Sequence, residues 1–220
     1  MSEFVFLLLV GICIGFIYIV HKYFSKSEFY LLGIIYTIIS FLMSFKLINI
    51  FGMDVNPSII FTSGIFMVIY YFINRYDVKE YKKFILLIFS TSIVCNLFLL
   101  STSFMIPSIY DNSSNLYQSL ILDNLVIFIL YPVSILVISC LSGYCFRGLK
   151  EENKKNIKNI IAIIGIMFIY SFIFIYFSYA VLIRFNKALL IAVENYFISS
   201  IIMIMYMFII NKIFNVKKVK

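Results

Sequence analysis

Charge is scarce in this chain. Only 13% of its 220 residues are Asp, Glu, Lys or Arg and 63% are hydrophobic, where a soluble domain carries about a quarter charged. Such a sequence cannot cover its own surface with polar groups, which excludes a water-soluble globular protein. Histidine occurs once, as His21, and the four cysteines (Cys13, Cys95, Cys140, Cys145) stand in apolar runs at no metal-like spacing. A clustered ligand set for a metal is therefore missing, and the cysteines read as reduced packing residues. Cys13 and His21 are also no catalytic dyad: eight positions apart on one helix, they are offset by about 80°. There is no Gly-rich phosphate loop and no P-loop, so a nucleotide-driven motor would have to be a separate subunit. No enzyme signature and no cofactor is expected. Nor is there a polar stretch long enough for a separate soluble domain of roughly 50 residues, which leaves one membrane domain over residues 1–220.

What is present is a series of apolar runs. A helix needs about 20 mostly apolar residues to cross a hydrocarbon core ~30 Å thick. Seven stretches qualify or come close: Phe4–Val20, Phe29–Phe51, Pro57–Ile73, Phe84–Phe104, Leu125–Phe146, Asn159–Leu182 and Ala188–Ile210. The fold class expected is all-α, a polytopic integral membrane bundle of about seven helices. The first run differs from a secretory signal because Glu3 precedes it while His21, Lys22 and Lys26 follow it, the reverse of a signal's charge order. It is expected to remain as a span. Pro132 interrupts the fifth run, which is tolerable where a neighbouring helix satisfies the freed carbonyl.

Lys and Arg orient the bundle, since their excess marks the cytoplasmic side. Lys22 and Lys26 follow the first run. Arg75, Lys79, Lys82 and Lys83 follow the third, Arg147, Lys150, Lys154, Lys155 and Lys158 the fifth, and Lys212, Lys217, Lys218 and Lys220 the last. The alternate connections are nearly bare, Arg184 and Lys187 excepted. The reading is N-terminus outside and C-terminus inside, in the cytoplasmic (inner) membrane. This asymmetry accounts for the net charge of +8 without a nucleic-acid partner, because the cations are dispersed and lack an aromatic-interleaved patch.

Three ionisable groups fall at membrane depth: Lys46, Glu194 and Asp123. Lys46, read as helical near the outer end of the second run, either snorkels to the interface or turns toward the bundle. Asn49, one turn on, would share its face. Glu194 is either a water-reached boundary carboxylate or part of a site, and Asp123 reads as an outer-interface residue. Tyr70, Tyr170 and Tyr176 lie inside runs and must find hydrogen-bond partners there.

The stretches HKYFSKSEFY, FKLINIFGMDV and NRYDVKEYKKF resemble the queuosine precursor transporter (VUT) family, and the spacing of helices and loops is similar across nearly the whole chain. Family members place Lys, two residues, an acid, an apolar residue and Phe-Gly in the second stretch; Lys46, Phe51 and Gly52 match, with Asn49 standing for the acid. In the third, Tyr76 matches and Lys79, Lys82 and Lys83 keep the basic character. The polar residues depart. Tyr70 and Asn74 stand where the family has Asp and Glu, Tyr170 replaces an Asp of the penultimate helix, Ser142 replaces another Asp, and Ser199 replaces a Lys of the last helix.

The resemblance implies a secondary transporter for 7-deazaguanine bases such as preQ0 and preQ1, or for a related small planar molecule. Lys46, Asn49, Tyr70, Asn74, Tyr170 and Asn195 are the expected substrate-binding residues. Tyr70, Asn74 and Tyr170 are expected to line one cavity. Two alternatives stay open: a non-transporting paralogue or partner subunit with the same frame, and a permease or immunity subunit working with an ATPase. The expected partners are the lipid bilayer and a small-molecule substrate, with a second copy of the chain (a homo-oligomer) left open.

Overall fold

The protein is an all-α membrane bundle. Its computed structural model describes residues 2–104, 121–122, 124–148 and 155–215. Among them, seven helices are long and apolar enough to cross a membrane: α1 (Ser2–Tyr23), α2 (Lys26–Met43), α3 (Ser58–Arg75), α4 (Val78–Ser103), α5 (Leu125–Gly148), α6 and α7 (Phe185–Asn215). The sixth begins as Lys155–Tyr170, widens into a π-helical stretch over Ser171–Tyr176 and closes α-helically over Phe177–Ala180; the whole is called α6. Asp123 and the cations Lys150, Lys154, Lys217, Lys218 and Lys220 lie outside the described residues.

The second apolar run is not one helix, and this corrects the sequence reading. Helix α2 stops at Met43, where Ser44 turns its hydroxyl back onto the Phe41 carbonyl at 2.6 Å. The chain then makes an antiparallel hairpin, β1 (Ile48–Ile50) and β2 (Met53–Val55), in the register Ile48↔Val55, Asn49↔Asp54 and Ile50↔Met53. Its two-residue turn, Phe51–Gly52, takes φ of 52° and 78°. Positive φ at both positions suits the twist of a tight hairpin, and glycine adopts it without cost where phenylalanine does not.

Helix α3 is the axis of the bundle. Of its span 89% is buried, against 22–50% for the other six, and every residue from Ser58 to Ile73 is buried. It packs on α1, α2, α4, α5 and α7. Small residues permit the close approach, as is usual where helices associate in lipid: a Cβ on Gly64 would stand 2.7 Å from Cys13 Sγ and 2.8 Å from the Tyr36 ring. The Tyr36 hydroxyl closes the same contact, donating to the Cys13 carbonyl at 2.6 Å.

At the basic end, Glu80 of α4 receives Lys26 at 2.9 Å and the Tyr30 hydroxyl at 2.7 Å. This ties the connection after α1 to the one after α3. In α5, Pro132 frees the Phe128 carbonyl, and the Asn96 side-chain amide of α4 donates to that carbonyl.

Candidate functional site

Residues four apart in an α-helix form a ridge on its surface. On α3 one such ridge reads Ser58, Thr62, Phe66, Tyr70, Asn74. It covers about 24 Å of rise, most of the ~30 Å hydrocarbon thickness, and it is polar at every step except Phe66.

The outer part of the ridge is a knot of hydroxyls. Thr62 Oγ1 donates to the Ser58 carbonyl at 3.0 Å, lies 2.6 Å from Ser40 Oγ of α2 and 3.4 Å from the Tyr170 hydroxyl of α6. Ser40 also reaches the Ser58 carbonyl at 3.3 Å. Next to the knot, the Tyr131 hydroxyl of α5 donates to the Thr37 carbonyl at 3.0 Å. Among the described residues Ser58 Oγ, fully buried, has no hydrogen-bond partner, and neither have the buried hydroxyls of Ser63, Ser171 and Ser178. Ser171 opens the π-helical stretch of α6, a distortion that is common at functional positions.

Below the knot stand aromatic rings. Phe66 meets Tyr170 edge-on at 6.3 Å, and Tyr170 leans on Phe174 at 5.5 Å. The inner cluster then gathers around Tyr70: its hydroxyl donates to Asn211 Oδ1 at 3.1 Å and accepts from Asn159 Nδ2 at 3.5 Å. Asn74 Nδ2 turns back to the Tyr70 carbonyl at 2.8 Å.

Above the knot the hairpin forms a lid. The outward edge of β2 finds its partners on α7 rather than on a third strand. Glu194 Oε2 accepts from the Asp54 backbone N–H at 2.8 Å, Asn195 Nδ2 donates to the Asp54 carbonyl at 3.2 Å, and Asn195 Oδ1 accepts from the Asn56 N–H at 2.8 Å. Asn56 Nδ2 in turn donates to the Ser44 carbonyl at 2.8 Å and to the Tyr179 hydroxyl at 2.9 Å, while its Oδ1 receives the first N–H of α3, from Ser58, at 2.9 Å. Asn56 and Asn195 are both fully buried.

The expected site residues therefore separate. Tyr70 and Asn74 share the inner cluster, Tyr170 belongs to the hydroxyl knot, and Asn195 belongs to the lid. Tyr70 and Tyr170 face the interior at two levels with Phe66 between, so the single cavity expected for Tyr70, Asn74 and Tyr170 is replaced by two hydrogen-bonded clusters. Lys46 is not helical and does not turn inward: it follows the end of α2, is exposed, and makes no side-chain hydrogen bond or ion pair among the described residues. Asn49 does not share a helix face with it. It is exposed on β1 and donates across the hairpin to Asp54 Oδ1 at 3.1 Å.

Sequence reasoning missed Ser40, Ser58, Thr62 and Asn56. The i+4 spacing of Ser58, Thr62, Tyr70 and Asn74 was the available signal. The knot and the inner cluster contain hydroxyls, amides and carbonyls, with no charged side chain among the groups named. They can donate and accept hydrogen bonds in a dry setting, which suits recognition of an uncharged polar solute. Among the described residues no group of three His, Cys, Asp or Glu side chains gathers to hold a metal. No protein-family model, no curated protein and no solved structure matches the chain.

Proposed function

We propose that the protein is a non-enzymatic secondary transporter of the cell membrane that carries a small, planar, uncharged solute, with a queuosine precursor of the 7-deazaguanine class as the first candidate. One observation carries the reading: the polar ridge on the enclosed helix α3, which offers hydrogen bonds toward both membrane faces and is broken once, at Phe66. Unpartnered hydroxyls at Ser58 and Ser171 add capacity for a guest in the outer part. The similarity of FKLINIFGMDV and its flanking stretches to the queuosine precursor transporter family suggests the substrate class. The latched hairpin and the rings at Phe66 and Tyr170 suit a state closed to both sides in an alternating-access cycle.

The test is complementation. A strain lacking its own queuosine precursor uptake and synthesis, supplied with preQ0, preQ1 or queuine, should regain queuosine in its tRNA when the chain is expressed. Thr62→Val and Asn74→Leu should each reduce that recovery at matched protein levels. Absence of queuosine with all three precursors, from a chain shown to be folded and in the membrane, ends the substrate assignment. A second reading, a non-transporting partner subunit, is favoured by one feature: Asn56, Asn159, Asn195 and Tyr70 direct hydrogen bonds to one another, to Tyr179 and Asn211, or to backbone. It predicts that Thr62→Val and Asn74→Leu leave the phenotype unchanged.

A further inference from the structure

Helix α6 crosses the bundle with a widened turn in it. Over Ser171–Tyr176 the backbone is π-helical, and a π turn closes between residues five apart, so it holds one residue more than the α turn, which closes between residues four apart. Two tyrosines bracket it. Tyr170, on the inner side, lies 3.4 Å from Thr62 Oγ1 in the hydroxyl knot, whereas the hydroxyl of Tyr179, on the outer side, accepts from Asn56 Nδ2 at 2.9 Å and donates to the Ser44 carbonyl at 3.4 Å. The knot and the lid are joined through the widened turn.

Partnerless hydroxyls flank the same stretch. Ser171, its first residue, and Ser178, two residues past its last, are fully buried, and among the described residues neither hydroxyl has a hydrogen-bond partner. Bare polar groups in a dry interior raise the energy of the conformation that holds them. The inner half of α6 is anchored, by Asn159 on the Tyr70 hydroxyl at 3.5 Å and by Tyr170 against Phe66 at 6.3 Å. Past Ala180 the helix gives way to a short connection in which Val181 and Leu182 are exposed. The outer end of α6 is the part with room to move.

We infer that the π-helical stretch of α6 is a register switch for the lid. When its turns tighten to α-helical geometry on a fixed inner half, the surplus residue passes outward, and the segment Phe177–Ala180 advances by about 1.5 Å and rotates by about 100°. Position 178 then arrives where position 179 stands now. Tyr179 leaves Asn56 and the Ser44 carbonyl, and Ser178, shorter by a ring, takes its place without reaching them. One latch of the hairpin is released. The switch goes beyond the transport reading and holds equally for a partner subunit, because it concerns the lid alone.

Amide hydrogen exchange of the full-length chain in detergent micelles reads the lid at the Asn56 N–H, which Asn195 Oδ1 holds at 2.8 Å. Deleting Ile173 removes the surplus residue and leaves both flanks of α6 in their present register. Exchange at Asn56 should then slow by roughly tenfold or more, since the released state is no longer reached. Tyr179→Ser removes the latch and should speed it by roughly tenfold. Adding Ser178→Tyr to Tyr179→Ser should restore protection, because the α-helical register carries position 178 to Asn56. Unchanged or faster exchange in the folded Ile173 deletion overturns the switch. So does a rate in Tyr179→Ser equal to that of the unaltered chain, and so does failure of Ser178→Tyr to rescue Tyr179→Ser, two results that stand even where the deletion does not fold.

Discussion

Pro132 and Asn96 show how one residue can oblige another across a helix interface. A proline within a helix removes the hydrogen bond to the carbonyl four residues earlier, and in lipid no water replaces it. The Phe128 carbonyl is the group set free, and Asn96 donates to it from α4. Asn96→Leu should therefore destabilise the protein by about 1–3 kcal/mol, the cost of a bare buried carbonyl. Pro132→Ala in the same chain should recover most of that loss, because alanine at this position restores the backbone N–H. Thermal unfolding in detergent measures both, and a double variant no more stable than Asn96→Leu alone would show that Asn96 acts by some other contact. The need for a partner at Pro132 was legible in the sequence; its identity was not, since nothing in a linear chain says which polar residue of which helix lies alongside. Lys46 illustrates the opposite failure. A conspicuous cation in an apolar run, it sits exposed in a connection, while the hydroxyls of Ser40 and Thr62, common in any membrane sequence, form the buried knot.

The hairpin is an element whose second edge is supplied by side chains. A strand edge presents unpaired N–H and C=O groups, and burying them bare would cost about 1–3 kcal/mol apiece. Glu194 and Asn195, adjacent on α7, serve three of these groups at Asp54 and Asn56. Asn195→Leu should therefore loosen the lid selectively. Hydrogen exchange at the Asn56 amide should rise by tenfold or more, about 1.4 kcal/mol, with exchange in the middle of α3 unchanged. Glu194→Gln, which keeps an acceptor, should leave the Asp54 amide protected, and Glu194→Leu should not. Uniform exchange across hairpin and α3 in Asn195→Leu would mean that the lid is no separate unit. The hairpin was hidden in the sequence because its residues, Ile48, Ile50, Met53 and Val55, are as apolar as a span. The signal was the alternation around Phe51–Gly52, with Asn49 and Asp54 facing out; Ile50 and Val55 are fully buried while Asn49 and Asp54 are exposed. Span length was far easier to read, because hydrocarbon thickness sets it for every helix alike.

Over the whole molecule, the connections after α1 and after α3 meet through Lys26, Tyr30 and Glu80, and the ends of α3 and α7 meet the start of α6 through Tyr70, Asn211 and Asn159. The described parts of the basic stretches seen one by one in the sequence are thus gathered at a single end of the bundle, and the hairpin lies at the other. That is the condition under which the charge rule can orient the chain, since the rule counts cations in short loops on one side against the other. The exceptions, Arg184 and Lys187, are exposed near the start of α7 and are outnumbered. The charge rule then predicts that the hairpin and lid face outside and the Tyr70 cluster faces the cytoplasm. A test needs one reporter at each end. In a background with the four cysteines replaced by alanine, which spares Cys13 the larger change against Gly64, Asn49→Cys and Lys79→Cys place single thiols at exposed positions of the hairpin and of α4. A membrane-impermeant maleimide applied to intact cells should label Asn49→Cys and reach Lys79→Cys only after permeabilisation. The reverse pattern would invert the bundle. It would also move the lid to the cytoplasm, so that the hydroxyl knot at Ser40 and Thr62 would be met first by a solute leaving the cell.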